Sequence, residues 1–233
     1  MNQFNEKMKI VPLSDKDFYK MSDDMYNYHP ETKKELESII EERIEKEGNE
    51  CNLNDIDTSK ITDMSKLFWE SKFFNGDISQ WDVSNVTDMS SMFYESELFN
   101  GDISKWDVSN VTNMSHMFNR AKSFNGNISQ WDVYKVKDMR GMFCYAEKFD
   151  KNISMWNVSN VTNMRFMFNH AESFNKDISK WNVSNVVNMT GMFYYAKSFN
   201  QDISRWNVYK VNYMDFMFGG CPLESNPPSW YRK

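Results

Sequence analysis

The stretch W-D-V-S-N-V-T-D-M-S-S-M-F-Y-E-S-E-L-F-N-G-D-I-S-K, Trp81 to Lys105, decides the fold, because the chain repeats it with little change. Trp81, Trp106, Trp131, Trp156, Trp181 and Trp206 stand 25 residues apart, and each opens the phrase W-[DN]-V-[SY]-[NK]-V. Eight residues after each Trp comes a Met (Met89 to Met214), then a Met-Phe pair (Met92-Phe93 to Met217-Phe218), and an Ile-Ser pair precedes the next Trp. A worn copy comes first: Leu53, Ile56, Thr58, Ile61, Met64, Leu67, Phe68 and Phe74 fall in the register of the later apolar positions. A period of 20 to 50 residues marks a repeat architecture, and here it gives seven units over residues 51–218.

Two apolar spacings alternate within a unit. The segment I-S-x-W-D-V places Trp81 and Val83 on one side and Asp82 on the other, the alternation of a short strand. Met89, Met92, Phe93 and Ser96 then stand at i, i+3, i+4 and i+7, the spacing of one face of a short helix, with Thr87 or Asp88 placed to cap it. Phe99-Asn100-Gly101 supplies a turn. This pattern predicts an α/β solenoid of about seven strand-turn-short-helix units. One such unit leaves both of its apolar faces open, so the units must stack, and the Met and Phe stripe is read as core.

The phrase F-N-x-D-I-S-x-W-D-V-S-N-V-T-x-M-x-x-M-F, Phe99 to Phe118, resembles the BspA-like leucine-rich-repeat family, in particular a 25-residue repeat described as a domain of unknown function in mycoplasma proteins. That resemblance implies a leucine-rich-repeat-like stack with a ladder of short parallel strands. Members of that family are often cell-surface lipoproteins or adhesins, and similar repeats occur in large DNA viruses of protists. The start MNQFNEKMKIVPLSDKDFYK has no apolar signal segment and no lipobox cysteine, so a cytoplasmic place, in a host cell or a virion, is expected over surface display.

Residues 1–50 do not follow the period and are read as an N-terminal helical cap region. Pro30 and Gly48 bound a charged stretch in which Leu36, Ile39, Ile40 and Ile44 share one side, the pattern of an amphipathic helix that caps the first unit or docks a partner. Residues 219–233, with Gly219-Gly220-Cys221-Pro222 and Asn226-Pro227-Pro228, form a C-terminal cap or tail. There Trp230 either folds back onto the stack or stands out as an anchor.

Composition narrows the function. With 27 Lys and Arg against 33 Asp and Glu the net charge is −6, unlike the basic stripe of a nucleic-acid groove. No apolar run reaches a membrane-spanning length. Cys51, Cys144 and Cys221, like His29, His116 and His170, share no metal-ligand spacing. Neither a metal nor a cofactor is expected. No G-x-S-x-G, H-E-x-x-H or P-loop is present, and every carboxylate column repeats with the unit, which suits a structural demand and not a single catalytic centre.

The reading is thus a non-enzymatic structural or protein-protein interaction scaffold, a component of a virion or other larger particle, with an adhesin exported without a recognisable signal as the alternative. Candidate contacts lie where the outward columns break. Asp82, Asp107 and Asp132 give way to Asn157, Asn182 and Asn207. Met155 interrupts a polar column, Tyr134 and Tyr209 replace Ser, and Trp230 stands in the tail. The Asn column at Asn85, Asn110, Asn160 and Asn185 is assigned to turn backbones.

Overall fold

The computed structural model describes residues 25–232. Seven coils, beginning at Ile56, Trp81, Trp106, Trp131, Trp156, Trp181 and Trp206, stack with a 25-residue register. A single-residue parallel bridge joins each coil to the next along Asp63, Asp88, Asn113, Asp138, Asn163, Asn188 and Tyr213. Helix is confined, among the described residues, to α1, Lys33–Glu47, and a 3-10 turn, Pro222–Glu224. The expected strand-turn-short-helix unit is therefore overturned, and with it the leucine-rich-repeat-like α/β solenoid.

Hydrogen bonding explains the difference. Ser91 and Glu95 adopt left-handed φ of 57° and 56°, and a left-handed residue every fourth position breaks a right-handed helix. The N–H groups of Met89, Ser91, Phe93 and Glu95 donate to carbonyls of the following coil, those of Asn113, Ser115, Met117 and Asn119, at 2.8–3.0 Å. Those of Met92, Tyr94 and Ser96 donate three residues back, to Met89, Ser91 and Phe93. A chain of four-residue turns brings i, i+3, i+4 and i+7 to one side just as a helix does, so the apolar spacing was right and the backbone inferred from it was not. At the expected strand, Trp81 and Val83 do point inward and Asp82 outward. Local turns take the backbone there: Trp81 N–H donates to Ile78 and Val86 N–H to Val83.

The core is three columns of aromatic rings. Trp centroids lie 6.4 or 6.5 Å apart at Trp81–Trp106, Trp106–Trp131, Trp131–Trp156 and Trp181–Trp206. The Phe column from Phe68 to Phe218 steps by 5.3–6.0 Å, and that from Phe74 to Phe199 by 5.9–6.1 Å. Each buried indole N–H needs an acceptor. It finds the carbonyl of Leu53 or of an Ile one coil back, as from Trp81 to Leu53 at 2.9 Å and from Trp131 to Ile103 at 3.1 Å.

The two ends are closed differently. At α1 the side chain of Thr32 caps the N-terminus reciprocally with Glu35. Leu36 and Ile40 are buried against the first coil, with Ile39 and Ile44 half-buried beside them. Buried Arg43 pins the helix, reaching Glu47 at 2.6 Å, Asp55 at 2.8 Å and the Asn52 carbonyl at 2.7 Å. At the other end Trp230 folds back 6.3 Å from Trp206 and donates to the Ile203 carbonyl at 3.1 Å, extending the Trp column by one ring. Of the 1–50 region, residues 1–24 lie outside the described residues.

Candidate interaction surface

Polar side chains of the Trp-bearing edge are largely committed to the coil. Asp82, Asp107 and Asp132 are exposed, and the Oδ1 of each accepts the N–H two residues on, from Ser84, Ser109 and Tyr134, at 2.9, 3.0 and 3.0 Å. Asn157, Asn182 and Asn207 make the same bond at 3.2 Å. An amide oxygen thus serves the turn as a carboxylate does, and the Asp-to-Asn change alters only the charge that the edge shows. The hydroxyl and then the N–H of Ser109 hold the Asp107 carboxyl below its ordinary range.

The Asn column has the structural role expected of it. Asn85, Asn110, Asn160 and Asn185 donate from Nδ2 to carbonyls 26 residues back at 2.7–2.8 Å. Where Tyr-Lys replaces Ser-Asn, Lys135 Nζ reaches Asn110 Oδ1 at 2.6 Å and Lys210 Nζ reaches Asn185 Oδ1 at 2.7 Å. The lysines keep the tie between coils, and the paired tyrosines project: Tyr134 is 49% exposed and Tyr209 92%. Met155 is 83% exposed. Tyr134 and Met155 lie at the Trp-bearing edge on successive passes of the chain, three residues after Trp131 and one before Trp156, and Tyr209 lies three coils along the Tyr134 column. Trp230 is set apart from these, half-buried as the last ring of the Trp column.

A feature not foreseen from the sequence runs over the turns that follow the Met-Phe pairs. His170 is sandwiched between Tyr145, centroids 4.2 Å apart, and Tyr195, at 4.9 Å, with the Arg120 guanidinium 5.2 Å from the Tyr145 centroid. Rings also lie over glycines of the next coil: a Cβ built on Gly141 falls 2.4 Å from the His116 ring, one on Gly191 2.4 Å from Phe166, and one on Gly220 2.8 Å from Tyr195. The alternation His116, Gly141, Phe166, Gly191 is visible once residues are read down a 25-residue column. Burial lowers the His116 pKa, with Arg140 adding to it, and burial lowers that of His170.

Burial also pushes the thiols up, Cys144 to about 12 and Cys221 to about 11, the reverse of what a nucleophile needs. Among the described residues no three His, Cys, Asp or Glu side chains gather as a metal site would require, and no helix is long and apolar enough to cross a membrane. No curated protein and no solved structure matches the chain. A family model described as mycoplasma protein of unknown function, DUF285, matches residues 34–143 and again 126–230.

Proposed function

With residues 34–230 spanned by that model, the chain belongs to the DUF285 family of mycoplasma-type proteins of unknown function, and from this premise we propose that it is a non-enzymatic scaffold for protein-protein interaction. The observation that carries the reading is the contrast within the Trp-bearing edge. Its Asp and Asn columns bond to the coil itself, whereas Met155, Tyr134 and Tyr209 stand exposed in otherwise polar columns. Met and aromatic side chains are enriched in protein interfaces. The phrase shared with the BspA-like proteins supports kinship with them in sequence, without their strand ladder. Incorporation into a virion or comparable particle is the narrower form of the proposal.

Photo-crosslinking residues at 134 and 155, with position 122 on another side of the coil as control, test the reading in cells of the native source. A defined protein joined at 134 or 155 and not at 122 is the expected result, and its presence in purified particles would bear out the narrower form. An intact chain that crosslinks to nothing at 134 or 155 would sink the proposal.

A further inference from the structure

The seventh coil ends the stack, and the tail covers only part of it. Trp230 lies on Trp206, and Tyr231 meets Phe218 edge-on with centroids 5.0 Å apart. The stretch from Val208 to Phe216 stays largely open, although the Arg232 N–H donates to the Met214 sulfur at 3.4 Å. Val208, Val211 and Met214 are only half-buried, although their counterparts in the six earlier coils are almost all buried. Around them Tyr209, Tyr213 and Phe216 are 92%, 55% and 71% exposed. Phe216 stands beside a cavity of about 370 Å³ lined by Asp215, Phe216, Phe218, Gly219, Glu224 and Tyr231.

We propose that this open end binds the same end of a second copy of the chain, tail to tail about a two-fold axis, each Phe216 entering the partner's hollow. A projecting ring and a hollow lined by Phe216, Phe218, Gly219 and Tyr231, with Asp215 and Glu224 as its polar part, stand on one face, and a two-fold contact requires that each copy supply both parts. Head-to-tail stacking cannot cover the end, because α1 lies across the first coil of any second copy. The area is of the right order. At about 150–250 Å² per aromatic side chain, Tyr213, Phe216 and the part of Tyr209 beyond the 49% that Tyr134 shows on the flank of a covered coil expose about 300 Å², within the range of the largest patch on an ordinary monomer. Two copies would bury ~600 Å² from these rings, and Val208, Val211 and Met214 carry the total toward the ~1,000 Å² of a specific interface. The proposal shares Tyr209 with the surface proposed above but does not depend on Tyr134 or Met155.

Sedimentation equilibrium of the full chain tests it, with a dimer expected. Phe216→Asn suits the left-handed backbone at φ 56°, so it should weaken association at least tenfold while leaving unchanged the urea midpoint measured at concentrations where both chains are monomeric. Tyr134→Ser should leave association unchanged. Phe216→Cys should form a disulfide-linked dimer on mild oxidation, because residues near a two-fold axis meet their own copies. A chain monomeric to on the order of 100 µM, or a dimer indifferent to Phe216→Asn, would overturn the proposal.

Discussion

Trp131→Ala should be among the most damaging single changes in the stack, and its cost follows from what the ring does. The indole is 4% exposed. It faces Trp106 and Trp156, each at 6.5 Å, and Phe118 at 6.4 Å. Truncating a buried Trp to Ala costs about 3–5 kcal/mol through lost transfer energy and the cavity left. The Ile103 carbonyl loses the indole donor at 3.1 Å but keeps the Trp106 N–H at 3.3 Å. It is not orphaned, and the further loss is one net hydrogen bond, about 1 kcal/mol. The expected total is about 4–6 kcal/mol. Trp131→Phe keeps a ring but not the donor, and should cost about 2–3 kcal/mol. Trp230 borders one ring of its column instead of two and is half-buried, so Trp230→Ala should cost about half as much as Trp131→Ala. Nearest-neighbour coupling also predicts that the interior variant splits urea unfolding into two phases, one for each flanking block of coils, while the terminal variant stays single-phase. Circular dichroism in urea reads both effects. Equal costs at 131 and 230, or a larger one at 230, would refute the column as the source of cohesion.

Other outcomes test other parts of the structure. Gly191→Ala should destabilise urea unfolding by about 1–2 kcal/mol from its left-handed φ of +57° and by more because the new Cβ falls on the Phe166 ring; in a Phe166→Ala background only the backbone part should remain. Arg43→Ala leaves Asp55 and Glu47 without their cation and should cost about 3 kcal/mol in thermal or urea unfolding, releasing α1 first. His116 and His170 have lowered pKa values, so the stability they contribute is complete above pH 6.5 and is lost as pH falls below it toward their folded values. The urea midpoint should therefore drop between pH 7 and 5, and less so in the double variant His116→Gln, His170→Gln. A second decline belongs to Asp107, Asp177 and Asp202, held low by the hydroxyl and then the N–H of Ser109, Ser179 and Ser204. It should begin below their ordinary value of 3.8 and continue as pH falls through the lower folded values.

The period, the inward residues and the helical cap were legible in the sequence because each is a matter of which side chains are apolar and how they recur. The backbone was not, because a four-residue turn chain and a 3.6-residue helix cannot be told apart over the eight residues from Met89 to Ser96. What separates them is the fate of alternate N–H groups, which bond to a coil 24 residues on. A non-glycine residue in the left-handed region, such as Ser91 or His116, leaves no mark in composition either. Gly141 and Gly191 at the same column position were the available sign. Arg43 escaped notice because a charge on an amphipathic helix reads as solvated until Asp55, twelve residues on, is folded back beside it. Trp230 could be read as cap or as anchor until its indole was seen to repeat the Trp-to-carbonyl bond of the six Trp-bearing coils before it.

The same bond shows why the two ends of the stack are not equivalent. A helix such as α1 satisfies its own backbone and offers the first coil a broad apolar face, so it closes that end without imitating a coil. The tail closes the other end by partial imitation, supplying Cys221, Leu223, one indole and one phenol where a coil would supply its whole apolar set. The rings lie on Trp206 and Phe218 and the Arg232 N–H reaches the Met214 sulfur, but Val208, Val211 and Met214 stay only half-buried. Grafting a full Val-Val-Met coil onto the seventh should therefore raise stability by burying those three side chains, by about 2–4 kcal/mol if each gains half of its transfer energy. The urea midpoint of such an eight-coil chain, compared with the natural one under conditions where both are monomeric, measures that gain. No gain would mean that the exposed rim is already buried within a single chain.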